Sequence, residues 1–280
     1  MTSPLLTKEQ IERFERDGFL LVPDVFDPQE LKDFGTAVDA AVAARTSADG
    51  RKLAEKTVYE QSFIQCMNLW EDTLEVRQLT FDSRLGEMAA RLLETPAVRI
   101  WHDQALYKES GGRETDAHND RPFWPISPAT QVTAWIPFDG CRRGQGAMAY
   151  VPGSHRVGLE RFVDISHTFQ EPYPILEDPK IAHIEPVWIE PAPGSVVFHH
   201  SLTVHLAEAN TSSSTRRVYC VIYFADGCTR RSPIPHMTLD RQGIEVGAVI
   251  EGDVSPVAWP RPDNDLPPQP AGRPPRMGFG

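Results

Sequence analysis

Hydrophobic and polar positions divide the chain into two textures, one before about residue 95 and one after it. The first is punctuated like helices. Thr7 with Gln10 three residues on makes a capping box, Ile11 and Phe14 begin a helical pattern, and Gly18 can end it. Phe19-Leu20-Leu21-Val22 then reads as a buried strand. Asp27-Pro28 supplies an N-cap and a proline at the first helical position for a helix running toward Arg45. A further helix is predicted from Ser83 to about Glu94, stopped by Pro96.

From Val98 onward short β-type runs alternate with Gly, Pro, Asn and Asp: V-R-I-W-H-D-Q-A-L-Y-K, T-Q-V-T-A-W-I-P-F, A-M-A-Y-V, P-V-W-I, S-V-V-F-H-H and R-V-Y-C-V-I-Y-F. This is the texture of a sandwich or barrel. Without βαβ alternation or a glycine-rich phosphate loop, dinucleotide-binding and nucleotide-hydrolysing folds are disfavoured. Residues 156–185 are poor in periodic pattern and read as an insertion over one face. After Ser255 the tail is dense in proline (Pro256, Pro260, Pro262, Pro267, Pro268, Pro270, Pro274, Pro275), which predicts an extended or partly disordered arm over 256–280. One domain over residues 1–255 is expected, with N-terminal helices over about 7–95 and a β core over about 98–226.

Composition narrows the partners. A chain of 280 residues with 40% hydrophobic content buries a proper core. A net charge of −11 and a pI near 5.3, with no Lys/Arg run longer than two, argue against nucleic acid and for a small-molecule or protein partner. Cys66, Cys141, Cys220 and Cys228 form no Cys-x-x-Cys pair, so reduced thiols are expected. No leader pattern and no long apolar run stand out, and a soluble, cytoplasmic protein without a membrane partner is expected.

Candidate chemistry sits in two places. In D-A-H-N-D-R-P-F-W-P, residues i and i+2 of an extended segment share a side, so His118 and Asp120 could offer an imidazole nitrogen and a carboxylate to one metal. Such a pair alone also fits a turn before Pro122. Downstream, V-V-F-H-H-S-L-T-V-H-L-A-E-A-N-T-S-S-S-T-R-R-V holds His199, His200, His205, Arg216 and Arg217. His205 and Arg216 flank one hairpin and can approach the same cavity from adjacent strands. His199 and His200 alternate on a strand, so one faces in and one out, and Arg217 should point away from Arg216 toward a surface carboxylate. Two histidines and a carboxylate leave open positions on a metal, the arrangement of non-haem Fe(II) oxygenases. An arginine fork nearby suits the carboxylate of a dicarboxylic cosubstrate such as 2-oxoglutarate.

His118-x-Asp120, His205 and Arg216, with L-T-K-E-Q-I-E-R-F-E-R-D-G-F-L-L-V-P-D-V-F, W-I-P-F-D-G-C, G-A-M-A-Y-V-P-G-S-H-R and P-G-S-V-V-F-H-H-S-L-T-V-H in order, resemble the phytanoyl-CoA dioxygenase family of Fe(II)/2-oxoglutarate oxygenases from about Leu6 to Ala225. The resemblance implies a mainly β fold with flanking α-helices: a double-stranded β-helix (jelly-roll, cupin-like) core. It implies His118, Asp120 and His205 as iron ligands, Arg216 as the partner of the far carboxylate of 2-oxoglutarate, and Lys108 and Trp135 as further cosubstrate contacts. Relatives often carry a serine two residues after the second metal histidine, where this chain has Ala207. Either a different hydroxyl, such as Thr133 or Tyr219, substitutes, or the cosubstrate is held less tightly. Arg121, Phe123 and Trp124 leave the metal in the same loop and are candidates for lining a substrate pocket, as is His200; Phe123 and Trp124 fit equally as core behind the metal.

The expected activity is hydroxylation of a small metabolite or natural-product intermediate with O2, releasing succinate and CO2. Asp120 favours this over halogenation, which needs a small residue in the carboxylate position. Desaturation, ring closure or epimerisation use the same ligands. The rival from another class is a cupin-like metal-binding isomerase or silent binding protein, which has no need of Arg216 at that spacing. The sequence carries no signal for oligomeric state.

Overall fold

The computed structural model describes residues 5–262 and 265–272, so the chain's first four residues and Pro274 and Pro275 of the tail lie outside the described residues. The capping box of Thr7 and Gln10 opens α1 (Lys8–Asp17), and Gly18, at φ +82°, closes it in the left-handed conformation. The chain turns directly into β1 (Phe19–Val22), and Asp27 and Pro28 then start α2 (Pro28–Thr46). Two short helices absent from the pattern reading, α3 (Val58–Ser62) and α4 (Leu74–Thr80), flank β2 (Ile64–Met67). Helix α5 (Ser83–Leu92) follows as expected.

The β-rich half begins with β3 (Val98–Lys108), β4 (Thr115–His118), β5 (Ile126–Ser127), β6 (Gln131–Pro137) and β7 (Met148–Tyr150). It continues with β8 (Val187–Ile189), β9 (Val196–His200), β10 (His205–Ala207), β11 (Arg216–Ala225) and β12 (Thr229–Arg230). A short helix α6 (Met237–Asp240) precedes β13 (Val257–Trp259). The major sheet runs β1-β9-β6-β11-β3-β13, with β2 also on β3, and the minor sheet runs β4-β10-β7-β8. Together they form the double-stranded β-helix core with the N-terminal helices on the outside of the major sheet.

Alternation sorts the major sheet's side chains. Val132, Ala134, Ile136, Phe198, Tyr219, Val221 and Tyr223 pack outward against helix residues such as Val38, Leu79 and Leu85. Trp135, Val197, Val218, Cys220 and Ile222 pack inward with Tyr150 and Ala207 of the minor sheet. Residues 156–185 build a small cluster of Leu159, Val163, Ile175 and Ile181 with Val151 and Val204. The proline-rich arm starts inside the fold: Val257–Trp259, set between Pro256 and the cis Trp259-Pro260 bond, pairs with the start of β3 as an edge strand, where proline is tolerated. All four cysteines are buried and free. Among the described residues no helix is long and apolar enough to cross a membrane.

Candidate metal and cosubstrate site

The minor sheet positions the two histidines by register. His205 on β10 pairs with His118 on β4 on one side and with Tyr150 on β7 on the other, which brings the two imidazole centroids to 4.4 Å. Each ring spends Nδ1 on the backbone carbonyl two residues before it: His118 on Asp116 O at 2.7 Å, His205 on Thr203 O at 3.0 Å. A carbonyl only accepts, so both Nδ1 atoms carry the proton and both Nε2 atoms present lone pairs to the interior. Burial pushes the pKa of each imidazole down to about 4, and the rings are neutral at neutral pH.

Asp120 reaches the same point by a route different from strand alternation. Strand β4 ends at His118, and Asp120 sits at φ −75°, ψ −28° at the head of a 3-10 turn, Arg121–Phe123. The loop is pinned on both sides, Asn119 donating to Leu159 O at 2.6 Å and the Arg121 backbone N–H to Ser201 O at 2.9 Å. Its Oδ1 lies 3.8 Å from His118 Nε2 and 3.9 Å from His205 Nε2. Burial works to raise the Asp120 pKa, but His205, His199 and His118 outweigh it and hold the carboxyl well below the usual range, hence ionised. The ligand atoms of His118, Asp120 and His205 all lie within 4.8 Å of one another.

A second polar locus lies further along the interior face of β3 and β11. Lys108 and Arg216 are opposite one another in register, 0% and 6% exposed. Burial, then Arg216, pushes the Lys108 amine down to about 7. Their hydrogen bonds go to backbone carbonyls: Lys108 Nζ to Arg113 O, and Arg216 Nη1 to Gly146 O at 2.7 Å. Arg216 Nε is buried without a partner, and the guanidinium carbon lies 5.6 Å from the Trp135 ring. Gly146, at φ +81°, is required there, since a Cβ would come within 2.7 Å of Lys108 Cδ. Two buried cations with an unspent donor fit an anion, and the donor set at the triad fits a divalent metal.

The remaining sequence candidates are spread around this axis. The Thr133 hydroxyl is buried without a partner on β6, in register with His199. Tyr219 points to the opposite face, where it donates to Asp103. Phe123 meets the His118 ring edge-to-face with centroids 6.3 Å apart and packs on Phe162, and Trp124 meets the His102 ring edge-to-face with centroids 6.2 Å apart. Arg121 turns back to donate to Trp124 O at 2.6 Å. His200 accepts from the Leu202 N–H and packs on His155, on the other side of β9 from the triad. It is His199 that faces the triad, with Nε2 3.4 Å from Asp120 Oδ2, a residue that alternation alone could assign only to one of two opposite faces. Arg217 faces outward to Asp39 and Asp139 at 2.6 and 2.7 Å.

A double-stranded β-helix holding two histidines and a carboxylate around one point, with open positions, defines the class of non-haem iron proteins. The chain belongs to the phytanoyl-CoA dioxygenase family, whose model matches residues 14–218. A phytanoyl-CoA dioxygenase domain-containing protein 1 homolog from Caenorhabditis briggsae is 24% identical over 261 residues, 75% of this chain and 88% of that protein. The structure of the non-heme alpha ketoglutarate dependent carbocyclase SnoK from nogalamycin biosynthesis superimposes with a TM-score of 0.75 at 26% identity, covering 92% of this chain and 99% of that one. EctD from S. alaskensis, with 2-oxoglutarate and 5-hydroxyectoine, shares the fold at a TM-score of 0.65 and 18% identity, covering 80% of this chain and 78% of the other.

Proposed function

We propose that the protein is an Fe(II)- and 2-oxoglutarate-dependent oxygenase that hydroxylates a small metabolite or natural-product intermediate. The observation that carries this reading is the combination of the buried triad with the buried pair Lys108 and Arg216, whose hydrogen bonds go to backbone carbonyls. His118, Asp120 and His205 would hold Fe(II), and Arg216 with Lys108 would take the far carboxylate of 2-oxoglutarate. Fe(II) and 2-oxoglutarate, when bound, would supply the coupling of 2-oxoglutarate decarboxylation by O2, to succinate and CO2, with insertion of the second oxygen atom into a substrate C–H bond.

The chain's own share is orientation and exclusion. Neutral imidazoles and an ionised carboxylate supply one negative charge to a dication, which leaves attraction for a dianionic cosubstrate. Arg216 offers a planar fork, and the unpartnered Nε gives it a donor to spend. Trp135 closes one side of that fork, and Thr133 offers the hydroxyl missing at Ala207. Phe123, packed on the exposed Phe162, and the buried Trp124 form an aromatic flank where a substrate would lie and where the substrate itself would complete the exclusion of water.

A second outcome, ring closure with loss of two hydrogens as water, is favoured by the 26% identity to a carbocyclase over nearly the whole chain. Incubation with candidate substrates, Fe(II), 2-oxoglutarate and O2 distinguishes them. Hydroxylation yields succinate in step with a product heavier by one oxygen atom, ring closure yields succinate with a product lighter by two hydrogens, and absence of succinate with every substrate class contradicts both.

A further inference from the structure

The three metal-facing side chains come from β4, β10 and the loop after β4, and a third imidazole reaches them from the other sheet. His199, on β9 of the major sheet, sets Nε2 at 3.4 Å from Asp120 Oδ2, while Asp120 Oδ1 is the oxygen near both metal-facing imidazoles. His199 itself lies outside the set of atoms that close around one point. We propose that His199 is a positioning residue for the metal-binding carboxylate: it donates to Asp120 Oδ2 and so reserves Oδ1 for the metal, with Tyr150 fixing its tautomer. This rests on the reading of His118, Asp120 and His205 as the iron site.

The direction of each contact follows from what the partners can do. An ionised carboxylate only accepts, so the contact requires the proton on His199 Nε2. Nδ1 is then an acceptor, and the Tyr150 hydroxyl lies 3.5 Å from it, with Met148 Sδ, a weaker acceptor, at 3.6 Å as the competing partner for its proton. Both His199 contacts, at 3.4 and 3.5 Å, are longer than the usual range of about 2.7–3.2 Å for a hydrogen bond, so the donation to Oδ2 is the step that metal binding would tighten. Tyr150 is held in place by stacking on Phe19, centroids 4.8 Å apart, and burial keeps its hydroxyl protonated. His199 is 2% exposed, so no bulk water can replace its donor. His200, the adjacent imidazole, is on the far side of the strand and cannot take over. The result is a chain of contacts from β7 through β9 to the carboxylate, by which the major sheet locks the orientation of a ligand carried by a loop.

The test uses full-length protein stripped of metal and titrated without oxygen, first with Co(II) alone and then with Fe(II) and 2-oxoglutarate, following the metal's visible absorption. His199→Phe should weaken metal affinity about 10- to 100-fold and alter the band of the Fe(II) and 2-oxoglutarate complex. His199→Gln, whose amide can donate to the same oxygen, should recover most of the affinity. Tyr150→Phe should fall between wild type and His199→Phe. Metal-free thermal unfolding reports whether each variant folds, and His199→Met, also without a donor, replaces His199→Phe if that variant does not. Wild-type affinity and spectrum in a donor-less variant overturn the inference alone, as does a Gln variant as weak as Phe, which would make His199 a ligand or a packing element. A wild-type protein that binds neither metal overturns the iron reading itself.

Discussion

The two faces of β3 each bury a charged group, and they differ in how that group is satisfied. Asp103, on the outward face, is 0% exposed and has every partner it can use: the backbone N–H groups of Leu69 and Trp70 at 2.7 and 2.8 Å, and the hydroxyls of Tyr219 and Thr80. Burial raises its pKa to about 7 against the pull of those donors. Lys108, five residues later on the inward face, is buried as deeply but has one backbone carbonyl as its hydrogen-bond partner and the cation Arg216 beside it. Burial is therefore the same on both faces. The unspent hydrogen-bonding capacity is on the inward face, where a ligand would use it.

The sharpest way to break this contrast is Arg216→Ala. Removing one partner of a buried charge-assisted contact should weaken 2-oxoglutarate binding about 100-fold or more, while unfolding by urea shows little loss, because among the described residues Arg216 hydrogen-bonds a backbone carbonyl and no carboxylate. Asp103→Ala should do the reverse. It strands two backbone donors and a tyrosine hydroxyl and should lower unfolding free energy on the order of 3 kcal/mol, with Fe(II) affinity of the folded fraction unchanged.

A smaller effect separates Lys108 from a simple structural cation. Its folded pKa, about 7, lies below the ordinary lysine value, so without ligand it loses its proton as pH rises through 7. A dianion binds the protonated form better, so 2-oxoglutarate affinity should fall several-fold from pH 6.5 to about 8.5. Lys108→Met should bind more weakly at low pH and flatten that slope; the same slope in both proteins would assign it elsewhere. The amine's charged form is disfavoured in the fold, so its contribution to stability without ligand runs the other way, increasing as pH rises from about 7 toward the ordinary lysine value.

Much of the frame was legible because it rests on local rules. Thr7, Gln10 and Gly18 mark a helix by caps, and Asp27-Pro28 marks another, so their limits are visible without tertiary contacts. Helices α3 and α4, of 5 and 7 residues, are too short for a period to show. The spacing of His118 and Asp120 pointed to one metal, but for a geometric reason the structure replaces: Asp120 turns back from a helical loop instead of alternating on a strand. Of the adjacent histidines on β9, alternation says only that they part. Which one faces in depends on the pairing of β9 with β6, a contact more than sixty residues away in sequence. Tyr219 and Thr133 were equivalent as hydroxyls and are distinguished by the same kind of long-range register: Tyr219 is claimed by Asp103, and Thr133 is left unpartnered.

The central claim is that the triad and the Lys108–Arg216 pair form one site for Fe(II) and 2-oxoglutarate. Oxygen-free addition of Fe(II) and then 2-oxoglutarate to the metal-stripped protein tests it directly, by the weak visible charge-transfer band that a 2-oxoacid chelated to Fe(II) produces. The account predicts a saturable band that is absent from Asp120→Ala and needs far more 2-oxoglutarate in Arg216→Ala. No band in the wild-type protein, or an unchanged titration in Arg216→Ala, would contradict it.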